Sequence, residues 1–163
     1  MLRITKLTDY GIVLLTHLGA HPERQFAAPE LAAETRLPLP MVSKILKLLT
    51  REGLLASSRG VKGGYGLAIP PEALSMARII TALEGPIAIT ECVDTTGECS
   101  HEQLCPSRGN WQRINSALRV ALEGISLAEM IPAPSPANRL VTIGSNREAS
   151  RSASPSTPQA PSL

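Results

Sequence analysis

All three cysteines of the chain fall in one short stretch, CVDTTGECSHEQLC, as Cys92, Cys99 and Cys105. An odd number cannot close among themselves as disulfides, and thiolates gathered in one polar, glycine-containing loop are the soft donors that hold zinc, copper(I) or an iron-sulfur cluster. A structural zinc site is ordinarily built from paired C-x2-4-C steps folded tightly around one ion. The spacing here, C-x6-C-x5-C, leaves longer loops between ligands and suits a larger object, a 2Fe-2S or 4Fe-4S cluster. Three thiols leave such a cluster one protein ligand short. His101, inside the loop, is a candidate through a neutral imidazole, its ordinary alternative being a solvent-exposed loop residue.

A second set of residues has the chemistry of a polyanion site. Ser43, Lys44, Lys47 and Arg51 recur on one side of a segment whose other side carries Val42, Ile45, Leu46 and Leu49 at helical spacing. Arg59 and Lys62 follow at a glycine-rich tip. Residues 1–70 hold nine Lys or Arg against five acids, the remainder seven against nine, so the positive balance lies in the first half. In a helix lying in the major groove of duplex DNA, N-terminal residues reach base edges and lysines meet phosphates. Arg59 and Lys62 would then reach the adjacent minor groove or backbone. Each charge taken singly is equally well a solvated surface residue; together they point to a double-stranded DNA operator.

The elements that must position these residues are legible in outline. A helix is expected from an N-cap at Thr8 to about Leu18, with Tyr10, Val13, Leu14 and Leu18 on one face. A second runs over 28–34 with Leu31 inward, and a third from near Pro40 to a stop at Gly53. Two short helices and a tight turn make a helix-turn-helix, and the strand-like runs of residues 54–69 around Gly60, Gly63 and Gly64 add a hairpin, the wing. Tyr65 is expected to pack within it. A fourth helix spans 75–84 and stops at Gly85-Pro86. Beyond the cysteine loop, Trp111, Ile114, Leu118, Ala121 and Ile125 step by three and four, the spacing of a helix that packs lengthwise on another; over two heptads, ordinary core packing fits as well. Trp111 is expected to be a core anchor at its start, and His17 and His21 to be structural or surface residues. One further helical turn covers 126–130.

The fold class is therefore mainly α, a winged helix-turn-helix domain with a long C-terminal dimerisation helix. The expected divisions are 1–85 for DNA binding, 86–131 for the cluster loop and dimerisation helix, and 132–163 as a disordered tail rich in Pro, Ser and Ala. The start lacks the apolar core of a secretory signal and no segment is long enough to span a bilayer. A cytoplasmic protein with no membrane partner is expected. No catalytic constellation is present, so an enzyme is not expected.

The span from Met1 to Ile131 resembles the iron-sulfur regulators of the Rrf-two (Rrf2) family, which includes IscR and NsrR repressors and regulators of SUF cluster assembly. The resemblance rests on the start LRITKLTDY, the wing SRG through GGY, the three cysteines, and the Trp111 helix ending in Ile125-Ser126-Leu127. The segment RGNWQRIN (108–115) looks most like the SUF regulators. The resemblance implies a homodimer paired through the long helix and an iron-sulfur cluster on Cys92, Cys99 and Cys105, controlling a repressor of cluster-assembly genes. The IscR pattern has a histidine three residues after the last cysteine; here that residue is Arg108, which cannot ligate at ordinary pH. Asp9 matches the position from which NsrR-like proteins supply a carboxylate across the dimer, although an acid early in a helix also suits the helix dipole. Asp9 is preferred to His101 as fourth ligand. The rival readings are a regulator of the same fold whose cysteines bind zinc or act as a thiol redox switch, and an iron-sulfur carrier.

Overall fold

The computed structural model describes residues 4–60, 63–90, 93 and 105–132, all within a unit spanning Met1–Ala133, with a second unit at Pro134–Leu163. Apart from Pro132, the tail lies outside the described residues. Helix α1 is Lys6–Gly19, and its N-cap is Thr5 rather than the expected Thr8. Thr5 Oγ1 accepts from the Thr8 N–H at 3.4 Å. Thr5 is fixed for this task from outside, because its own N–H and hydroxyl both donate to Glu84 Oε1, at 3.0 and 2.9 Å. Thr8 is thereby drawn into the first turn and buried. The buried face carries Leu14, Leu15 and Leu18, not the expected Val13, which is exposed. At 100° per residue Val13 lies opposite the stripe that includes Gly11 and Leu18.

Helix α2, Ala28–Thr35, ends where Arg36 takes a left-handed conformation, φ 56°, and the Leu37 N–H returns to Ala32 O at 3.1 Å. That residue turns the chain into α3, Leu39–Arg51, whose start is set by Pro38 and Pro40. Val42, Ile45, Leu46 and Leu49 are fully buried along one side of α3. Strands β1, Leu55–Ser58, and β2, Gly64–Leu67, pair antiparallel from Leu55 opposite Leu67 to Ser58 opposite Gly64. Phe26 adds a bridge that the sequence did not signal: it exchanges both backbone hydrogen bonds with Tyr65, at 3.0 and 2.8 Å. Gly64 makes room for it, since a Cβ there would stand 2.6 Å from Phe26 O.

A short 3-10 turn at Pro71–Ala73 leads to α4, Met76–Glu84, where Ser75, expected as the first helical residue, is the N-cap. Helix α5 is Arg108–Glu123, starting three residues before Trp111, and α6 is Leu127–Met130. The chain after α5 returns to the core: the Met76 N–H donates to Ile125 O at 2.9 Å and the Leu127 N–H to Leu74 O at 2.7 Å. Leu127 is fully buried in the same cluster as Leu14, Phe26, Ile45 and Ile79. Trp111, expected as a core anchor, is instead 38% exposed, and Ile114 is 49% exposed. Helix α5 lies against α4, yet Asn115 is its single buried residue, so the stripe from Trp111 to Ile125 turns away from the chain's own core.

Candidate nucleic-acid interface and thiol site

Because α3 buries one side against α1, α2 and α4, its other side is presented to solvent. Lys44, Lys47 and Arg51 are exposed there and Ser43 is half-buried. Leu39, at the first position of α3, is also exposed. Arg51 is engaged by Glu52, Nε to Oε1 at 3.0 Å. Among the described residues Lys44, Lys47, Arg36 and Arg59 have no carboxylate partner. Unpaired cations clustered around a helix and its preceding turn attract a polyanion most strongly at low salt. Arg59 stands at the end of β1 beside Gly60, whose φ of 116° only glycine adopts without strain. The Gly63 N–H closes on Gly60 O at 2.9 Å. Lys62 lies outside the described residues.

Sequence reading missed the buttress behind this surface. His17 Nε2 meets Glu34 at 2.8 Å, joining α1 to α2. The Arg24 guanidinium lies 4.2 Å from the Phe26 ring centre, is hydrogen-bonded to Glu30 and stands 3.5 Å from Glu34. Ser58 donates to Gln25, tying the wing to the same segment. Arg24 therefore adds to the charge of the first half but is already neutralised. Its partners, six and ten residues on along the next helix, were the available signal.

Of the five candidate ligands, Cys92, Cys99 and His101 lie outside the described residues. Cys105 is half-buried, in no disulfide, and immediately precedes α5; the Arg108 N–H approaches Cys105 O at 3.4 Å. Asp9 is exposed in the first turn of α1, in a shallow recess with Ile4, Thr5, Lys6 and Ile12. Among the described residues no three metal-ligating side chains converge. The donor set fits a cluster by its chemistry: Cys105 is a half-buried free thiol three residues before α5, and soft sulfur donors suit iron-sulfur clusters.

One carboxyl shift bears on the frame. The Thr8 hydroxyl, the largest influence, together with the Thr5 N–H and hydroxyl holds Glu84 below its usual value of 4.5, against burial, whose opposing effect exceeds that of either Thr5 group. The Thr8 hydroxyl is buried beside the carboxylate but makes no hydrogen bond in this geometry, so the bonds that fix the carboxylate are those from Thr5.

The family model Rrf2, described as an iron-dependent transcriptional regulator, matches residues 4–133. An rrf2-like HTH-type transcriptional regulator of Rhodobacter capsulatus is 26% identical over 147 residues, covering 85% of this chain and 98% of that protein. CymR, the global cysteine regulator of B. subtilis, superposes with a TM-score of 0.64 at 28% identity, over 80% of this chain and 97% of its own. IscR of T. potens superposes with a TM-score of 0.62 at 25% identity, over 79% and 85%. These relatives are transcriptional regulators, not enzymes. No described helix is long and apolar enough to cross a membrane.

Proposed function

Because the chain belongs to the Rrf2 family of helix-turn-helix transcriptional regulators, we propose that it is a dimeric repressor of iron-sulfur cluster assembly (SUF) genes, acting in the cytoplasm under the control of its own cluster. The observation that carries this reading is the placement of Cys105 between a winged unit with unpaired cations and a helix whose apolar stripe lies open. In this reading residues 1–85 bind DNA, 86–131 form the cluster loop and dimerisation helix, and 132–163 are a tail. Ser43, Lys44, Lys47, Arg51, Arg59 and Lys62 meet the duplex.

Cys92, Cys99 and Cys105 would hold the cluster, with Asp9 of the second subunit as fourth ligand and His101 as its alternative. A bound iron-sulfur cluster supplies thiolate bonds that are sensitive to oxidants and to iron supply. The chain's part is to convert loop order into subunit geometry. Trp111, Ile114 and Ile125 pair two α5 helices, and α5 lies against α4, which Glu84 ties to the cap of α1. A change at the loop shifts the population of dimers whose two α3 helices match two half-sites.

Anaerobic purification with iron and sulfide analysis tests the reading. Broad visible absorption with stoichiometric iron and sulfide, together with salt-sensitive, sequence-selective duplex binding, supports it. The similarity to a cysteine regulator favours one second reading, in which the three thiols bind zinc or form a redox switch. Colourless protein containing zinc, or reversible disulfide formation that alters DNA binding, would establish that instead.

A further inference from the structure

Asn115 is the only residue of α5 whose side chain is buried, and both ends of its amide are used on one short stretch of backbone. Its Oδ1 accepts from the Ile89 N–H at 3.2 Å and its Nδ2 donates to Ile87 O at 2.9 Å. Donating to one residue and accepting from the residue two further on is what a neighbouring parallel strand does for an extended chain. Here one side-chain amide takes the place of that strand. A carboxamide alone among similar side chains can do both at once, having a carbonyl and an NH2 on one carbon. The two bonds span 26 and 28 residues of sequence. Between their ends lie Cys92, Cys99 and Cys105.

We infer that Asn115 is a positioning residue for the thiol loop: an amide clasp that fixes the loop's incoming segment on the same helix that receives its outgoing end. Ile89 stands three residues before Cys92, and Cys105 three before the first residue of α5. With the clasp closed, both ends of the loop are held on α5, so the thiols search a small volume; with it open, only the Cys105 end is held. Groups that orient ligands from behind in this way alter metal affinity by roughly 10- to 100-fold when removed. The clasp also gives loop order a direct connection to α5. It rests on the cluster reading for its role in holding iron, but not for its existence.

The experiment compares anaerobically prepared full-length dimers of wild type, Asn115→Asp and Asn115→Leu. Asp retains the acceptor for Ile89 and loses the donor to Ile87; Leu loses both. Three readouts are needed: the rate at which a chelator bleaches the visible absorption, amide exchange at Ile89, and the melting temperature of the metal-free protein. We expect bleaching on the order of tenfold faster or more for Leu, intermediate for Asp, with faster exchange at Ile89 and little change in apo melting. Bleaching at the wild-type rate in Leu, or slow exchange at Ile89 despite the substitution, overturns the inference. So does a fall in apo melting with faster exchange throughout α4 and α5, which marks general destabilisation. Should wild-type protein hold no iron, the cluster reading fails by itself. The clasp is then decided on metal-free protein by maleimide labelling of the three thiols: faster in Asn115→Leu supports it, and an unchanged rate overturns it.

Discussion

Lys44 and Lys47 project from the same open side of α3, and their expected contributions differ in kind. Lys44, nearer the helix start, is placed for a base edge, so Lys44→Ala should weaken operator binding by about 1–3 kcal/mol and relax selectivity at one base pair. Lys47 sits a turn further along, where phosphates run. Lys47→Ala should weaken all duplexes alike and reduce the salt slope by about one; titrations on operator and scrambled duplexes at several salt concentrations separate the two. At Glu84 the sign of a pH effect follows from the lowered carboxyl. A group whose folded value lies below its unfolded value adds stability above the unfolded value and loses it as the pH falls through the folded one. Denaturant unfolding of Glu84→Gln should therefore show a less stable protein at neutral pH, with the difference narrowing as the pH drops below 4.5. A constant difference at all pH values would assign the loss to the cap at Thr5 alone.

The open stripe of α5 belongs to the scale of elements. Ile114→Glu places a charge on it, at a residue 49% exposed in the single chain, so folding should survive while the proposed dimer dissociates, as read by sedimentation. A folded dimer of unchanged affinity would show that the stripe is not where subunits pair. Phe26→Ala is the opposite case: it removes a fully buried ring and leaves the backbone bridge to Tyr65 available, at a cost of about 3–5 kcal/mol. The helices and the hairpin were legible because each is specified locally, by apolar spacing and by glycine or proline at the ends. The start of α1 was not, because Thr5 and Thr8 are equally good caps and the choice depends on Glu84, 79 residues away in sequence. The Phe26 bridge was invisible for the same reason: a single paired residue has no periodicity. Trp111 was misplaced because three-four spacing identifies an apolar stripe without saying whose surface covers it. Asn115, a polar residue between Ile114 and Leu118, was the interruption that periodicity arguments pass over.

At the scale of the whole molecule, the proposed cluster makes its fourth ligand a question about two chains. A heterodimer of Asp9→Ala subunits with subunits lacking all three cysteines keeps one thiol set, facing an intact Asp9 on the other chain. Wild-type-like spectra in that heterodimer, with altered spectra in the Asp9→Ala homodimer, should result if the carboxylate comes from the second subunit. Should His101→Ala change the spectrum and Asp9→Ala leave it alone, the histidine is the ligand. Removing residues 133–163 should leave dimerisation and iron content as they are, since that stretch offers few large apolar side chains to bury. Leu127 has a consequence in time. The core shared by Leu14, Phe26 and Ile45 is completed by a residue that follows α5, so a chain emerging from the ribosome has made its DNA-reading helices well before it can close the space beneath them. At about 5–20 residues per second the interval between residues 85 and 127 is roughly two to eight seconds. Through that interval the nascent winged unit stays open, and the segment that seals it arrives only after α5 has been synthesised.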